Sequence, residues 1–140
     1  MPHEQVSRSS NSINILVIDD EESQIELIKL NLERLDPSFK IITTTKSSSV
    51  VGIISEQHVD CIVSDYKLGP VNGLQLCKEI KKTSKIPFIL YTARGSEEVA
   101  EDAFNVGVDD YLRKEETLAH FRLLTRGLNI LSMSGGMRRN

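Results

Sequence analysis

The sequence predicts an α/β fold, a five-stranded parallel doubly wound sheet with helices on both faces. Short β-branched runs recur along the chain, and each is followed by a stretch whose apolar residues fall three or four apart. The pairing occurs five times in succession. Parallel strands cannot be joined by tight turns, so a helix after every strand is the connection such a sheet needs.

Residues 1–12 (MPHEQVSRSSNS) are too polar to offset the entropy of ordering and are expected to be a disordered lead. INILVI, Ile13–Ile18, reads as a strand buried on both faces and runs into four acids, Asp19 to Glu22. Ile25, Ile28, Leu32 and Leu35 then mark a helix, which Asp36-Pro37 stops because proline disfavours helix at the preceding residue. Phe39–Thr43 leads to a helix around Ser47–Glu56. Cys61–Ser64 leads through a Gly/Pro/Asn-rich loop to a helix over about Asn72–Lys82. Ile86–Tyr91 leads to one over about Ser96–Val106, and Asp110–Arg113 to a last helix with Leu118, Phe121, Leu124 and Leu128. The folded domain is placed at 13–132, with 133–140 as a flexible tail.

At 140 residues the chain suits one core rather than two. A hydrophobic content of 39% with 26% charged residues is ordinary for a globular protein, and a net charge of −3 argues against nonspecific nucleic-acid binding. No apolar run approaches the roughly 18–20 residues of a membrane span, and the N-terminus lacks a secretory apolar core. Cys61 and Cys77 sit inside apolar runs without nearby histidines, so they read as core residues rather than zinc ligands. A reducing cytoplasm is the simplest compartment.

Right-handed crossovers favour the flavodoxin-like order 2-1-3-4-5, with its site at the carboxyl ends of the strands. The residues there are Asp19-Asp20, Asp65, Thr92-Ala93 and Lys114. Any one of them alone is more often a helix cap or a solvated side chain. Together, three carboxylates on one rim repel, since two unit charges 4 Å apart cost about 1–4 kcal/mol at effective dielectrics of 80 to 20. An all-oxygen cluster of this kind suits Mg²⁺ or Mn²⁺. Carboxylate, divalent cation, lysine and hydroxyl are the parts that phosphoryl transfer to an aspartate requires. Replacing one of the acids by asparagine is expected to stabilise the metal-free fold.

Four segments, NILVIDDEE, CIVSDYKLGPVNGLQL, IPFILYTAR and GVDDYLRK, resemble the receiver domain of two-component response regulators, from about Asn14 to the last helix. The resemblance implies Asp65 as phosphoacceptor, with Asp20 a direct metal ligand, Asp19 acting through water and the Lys67 carbonyl a further ligand. It implies Thr92 as the switch hydroxyl, Lys114 as the lysine pairing with the phosphoryl group, and the Ala93 N–H as a donor to a phosphoryl oxygen. Tyr111 matches an aromatic that changes rotamer on activation. Lys67 and Arg94 stand two residues past Asp65 and Thr92, where such domains tune phosphoryl lifetime. Long cations over the line of attack are expected to make self-dephosphorylation slow. Two departures stand out. Glu115 follows Lys114 where the family has proline, often after a cis peptide, so the start of the last helix is expected to differ in shape. Pro70 lies one place later than usual.

The implied donor is the phosphohistidine of a sensor histidine kinase or phosphotransfer protein. With no room for a DNA-binding module, output is expected through a protein target or a homodimer, on the helix 4–strand 5–helix 5 face that carries Glu97, Glu101, Asp110 and Arg113. No direct DNA binding and no membrane insertion are expected. His3, His58 and His120 read as structural or solvated. The resemblance implies not a conventional enzyme but a domain that catalyses its own phosphorylation and slow hydrolysis. The alternative is a scaffold of the same fold that is never phosphorylated. A carboxylate-nucleophile phosphatase is disfavoured because Lys67 stands where its general acid belongs.

Overall fold

Each β-branched run forms a strand, and each amphipathic stretch a helix. The computed structural model describes residues 12–93, 97–115 and 117–139. The elements are β1 (Ile13–Ile18), α1 (Glu22–Leu35), β2 (Phe39–Thr44), a 3₁₀ turn (Ser47–Ser49) running into α2 (Val50–Glu56), β3 (Cys61–Ser64), α3 (Gly73–Lys81), β4 (Phe88–Thr92), α4 (Glu97–Asn105), β5 (Asp110–Arg113) and α5 (Leu118–Arg139). All strands pair in parallel in the order β2-β1-β3-β4-β5. The sheet order and the alternation are those the sequence implies.

Side-chain alternation on β1 divides the core into two layers. Ile15 and Val17 face Ile28 and Leu32 of α1 and Leu124 and Leu128 of α5. Leu16 and Ile18 face the opposite layer, with Val50, Ile62, Leu76, Ile80 and Leu90. Fully burying one such aliphatic side chain contributes about 1.5–3 kcal/mol, so these two layers hold the sheet between the helices. Cys61 and Cys77 are free and buried. Burial drives the Cys61 thiol far above its ordinary range and raises Cys77 to about 11, which keeps both protonated and unsuited to metal binding.

Local chemistry sets the boundaries. The Gln75 N–H donates to Asn72 Oδ1 (2.9 Å) while the Asn72 N–H donates to Gln75 Oε1 (2.8 Å), a reciprocal cap that starts α3 one residue later than expected. β4 begins at Phe88 rather than Ile86, because Pro87 has no N–H for the ladder and Lys81 Nζ binds the Ile86 carbonyl at 2.9 Å. The helical span of α5 continues to Arg139, through residues assigned above to a tail. No proline interrupts it. The rest of the expected disordered lead, residues 1–11, lies outside the described residues.

Candidate functional site

The sheet's hydrogen bonding runs one residue past the strands at their carboxyl ends, and that fixes the site. The Asp65 N–H donates to the Ile18 carbonyl (3.0 Å), the Lys114 N–H to the Thr92 carbonyl (3.0 Å), and the Asp19 N–H to the Thr44 carbonyl (3.4 Å). Three loops are thereby pinned on one rim by backbone rather than side-chain hydrogen bonds.

Asp19 is buried, at 1% exposure, Asp65 is partly buried and Asp20 is exposed. One carboxylate oxygen from each lies within 4.8 Å of the others. Lys114 Nζ donates to Asp19 Oδ2 at 2.6 Å and to Asp65 Oδ2 at 3.4 Å, spanning the pair. The remaining oxygens also have donors: the Glu21 N–H donates to Asp19 Oδ1 (3.0 Å) and the Tyr66 N–H to Asp65 Oδ1 (2.7 Å). Burial raises the Asp19 carboxyl above its ordinary range, against the opposing pull of the Lys114 and Glu21 hydrogen bonds, and the Asp65 charge adds to the rise. Three acids against one lysine leave the cluster two charges short of neutrality when all are ionised. A hard divalent cation with oxygen ligands fits that deficit and that donor set.

Asp20, Asp65, Lys67, Thr92, Ala93 and Lys114 line one cavity of about 480 Å³. Thr92 is fully buried at the end of β4, Ala93 is exposed at the rim, and Lys67 is held at the mouth by a bridge to Asn72. The cavity runs on over an apolar floor that includes Leu27, Ile28, Tyr91 and Phe121. Tyr111 is partly buried on β5, opposite Leu90, and packs against the second core layer. Arg94 lies outside the described residues, so its expected place at the mouth has no counterpart here.

Of the face residues named from sequence, Glu101 and Arg113 are exposed. Asp110 is instead half-buried, with its Oδ1 accepting the Tyr111 N–H at 2.8 Å. His58 pairs with Asp60 (Nε2 to Oδ1, 2.7 Å) at the opposite rim, and His120 is buried against Tyr91. No described peptide bond is cis, so Lys114–Glu115 is trans.

Two features escape the sequence argument. Gly73, the first residue of α3, lies so close to the Asp65 backbone that a Cβ there would overlap the Asp65 carbonyl and crowd Leu90. The Asn-Gly pair ahead of an apolar run was its one visible sign. Glu115 joins the cavity lining, which only the closed fold reveals.

Comparison with known proteins agrees with this fold. The family model of the response regulator receiver domain matches residues 15–126. The transcriptional regulatory protein YvrH of Bacillus subtilis is 32% identical over 101 residues, 72% of this chain and 42% of that protein. The transcriptional regulatory protein SrrA of Staphylococcus aureus is 32% identical over 103 residues, 74% of this chain and again 42% of its own length. The chain thus spans under half the length of these relatives. A crystal structure of a response regulator receiver domain protein from Clostridium thermocellum superposes with a TM-score of 0.78 at 29% identity, covering 89% of this chain and 98% of the other.

Proposed function

The chain belongs to the response regulator receiver domain family, and from that premise we propose that it is a signalling switch phosphorylated on Asp65 by a phosphohistidine of a sensor kinase or phosphotransfer protein. The observation that supports it most is Lys114 Nζ lying between Asp19 and Asp65, beside an exposed Asp20 and within one solvent-reached cavity. Receiver domains interact with such donors as a class; which donor serves this chain is part of the proposal.

Asp65 is the nucleophile. Its Oδ attacks phosphorus in line, the bond from phosphorus to the imidazole nitrogen breaks, and the nitrogen keeps the electron pair. Lys114 is close enough to exchange its 3.4 Å contact with Asp65 for a phosphoryl oxygen without leaving Asp19. Thr92 offers a hydroxyl and Ala93 a backbone N–H to the same group. Mg²⁺ (or Mn²⁺) would be held by Asp20, Asp65 and the Lys67 carbonyl, with Asp19 through water, and would supply charge neutralisation at the phosphoryl oxygens. Lys67 at the mouth stands where it lengthens the life of the acyl phosphate, and the same is proposed for Arg94.

Movement of Thr92 toward the phosphoryl group, followed by Tyr111, would alter the α4–β5–α5 face and so engage a protein target or a second copy. Output by protein contact rather than DNA binding remains part of this proposal. Among the described residues no helix is long and apolar enough to cross a membrane. The proposal is tested by incubation with a phosphohistidyl kinase domain: label is expected to reach the chain in Mg²⁺ and not in chelator. Label that arrives equally in chelator contradicts it.

The cation carries its own prediction. Binding at a hundred times Kd stabilises a fold by about 2.7 kcal/mol, so millimolar Mg²⁺ should raise the melting temperature. Asp20→Asn removes the exposed acid, should raise the metal-free melting point by relieving repulsion, and should blunt the Mg²⁺ shift. Equal shifts in both proteins would remove the metal site from the account.

A further inference from the structure

We propose that Glu115 selects among phosphoryl donors, its carboxylate at the cavity mouth disfavouring free dianions such as acetyl phosphate relative to donors of lower charge. This rests on Asp65 being the acceptor. Glu115 follows Lys114 directly, so the lysine's nearest chain neighbour carries the opposite charge. It lines the same cavity as Asp65, Thr92 and Ala93, and its side chain is 69% exposed. Lys114 does not cancel it, because that ammonium points inward to Asp19 at 2.6 Å. Glu21, also exposed, lines the cavity from the β1–α1 side, so two carboxylates share the mouth with the Lys67 cation.

His120 lies beside Glu115 on the inner side. His120 is buried and stacks on Tyr91 at 5.4 Å with 14° between the rings. Its backbone N–H donates to Thr117 Oγ1 at 3.1 Å, and its ring Nδ1 lies 3.9 Å from Glu115 Oε2. An anion heading for Asp65 therefore passes the Glu115 carboxylate in the cavity lining, whatever bonds that charge makes. The effect is a field effect and scales with the charge of the donor.

Two small donors separate charge from chemistry. Acetyl phosphate is a dianion at neutral pH; Asp65 Oδ bonds to phosphorus and acetate leaves with the electron pair. Phosphoramidate is a net monoanion, already protonated on nitrogen; the same bond forms and ammonia leaves with the P–N pair.

The experiment measures initial rates of Asp65 phosphorylation by each donor in saturating Mg²⁺, for wild type, Glu115→Gln and Glu115→Lys, at low and high ionic strength. With acetyl phosphate at low salt, Glu115→Gln should gain about threefold and Glu115→Lys about tenfold. Phosphoramidate should show a smaller gain, and high salt should erase both, since the screening length falls to about 3 Å at 1 M. Gains that ignore donor charge, or that persist in high salt, overturn the proposal, as do equal rates in all three proteins. Failure of both donors to phosphorylate any of the proteins instead defeats the acceptor reading of Asp65, and this inference with it.

Discussion

Lys114→Met is expected to destabilise the metal-free protein by about 3 kcal/mol, since removing one partner of a buried ion pair strands the other charge. Asp19 is 1% exposed and Lys114 side-chain exposure is 11%, so water cannot replace the 2.6 Å bond to the ammonium. The same change leaves Asp65 unneutralised beside Asp19. Urea unfolding in chelator at neutral pH measures the loss as a lowered midpoint with an unchanged slope. The loss should depend on pH with a definite sign. Burial already holds the Asp19 carboxyl above its ordinary value of 3.8, so the folded state retains a proton that the unfolded state releases, and stability falls as pH rises through that interval. Without Lys114 the interval widens, so the deficit of the variant should shrink as pH is lowered toward 3.8. Mg²⁺ should also recover part of it. A variant as stable as wild type at neutral pH in chelator would mean that Lys114 is not what makes the buried Asp19 tolerable.

This geometry also corrects an expectation drawn from sequence. Relief of repulsion is still expected for Asp20 and for Asp65, but Asp19→Asn removes the principal partner of Lys114 and is not expected to stabilise the metal-free fold.

Gly73→Ala should be nearly as costly, at about 2–3 kcal/mol, the range for forcing extra atoms into a packed site. The added Cβ would meet the Asp65 carbonyl and, at 2.9 Å, Leu90 Cδ1. A flexible side chain could swing away. A carbonyl pinned between β3 and α3 cannot, for the Asp65 N–H is bonded to Ile18 at 3.0 Å and the Gly73 N–H to the Tyr66 carbonyl at 2.6 Å. The clash must therefore move α3 or the Asp65 loop. Thermal melting measures the cost, and the Mg²⁺-induced shift in the same experiment reports on the displaced carboxylate. The control is Gly52→Ala: a Cβ at Gly52 meets nothing within 4 Å, so that change in α2 should be neutral or stabilising. Equal melting points for Gly73→Ala and wild type would show that the close approach is relaxed in solution.

The sheet was legible in the sequence because its strands are buried on both faces and read as apolar runs, while its helices keep their three-and-four spacing. INILVI and CIVS need no context to be recognised, and their crossovers leave little freedom of order. The cluster was legible for the same reason. Once Asp19-Asp20, Asp65, Thr92 and Lys114 end neighbouring parallel strands, the topology brings them to one rim, and the side chains follow.

Contacts between distant segments were not legible. Nothing in the sequence says that Lys114 would prefer Asp19 to Asp65, since that depends on which oxygens the Glu21 and Tyr66 amides already occupy. Nor does periodicity show that Glu115 lines the cavity, or that His120 would turn inward to stack on Tyr91. The Ser-Gly-Gly run reads as a break in the sequence, although its backbone continues as helix.

The central claim is that Asp65, and no other residue, receives the phosphoryl group. It is tested most directly by phosphorylating the protein in Mg²⁺, trapping the acyl phosphate by borohydride reduction, and mapping the reduced residue by peptide mass spectrometry. A single modified position, Asp65, is expected, and none in Asp65→Asn. Modification of Asp19, Asp20 or a histidine in the wild-type protein, or undiminished phosphorylation of Asp65→Asn, would contradict it.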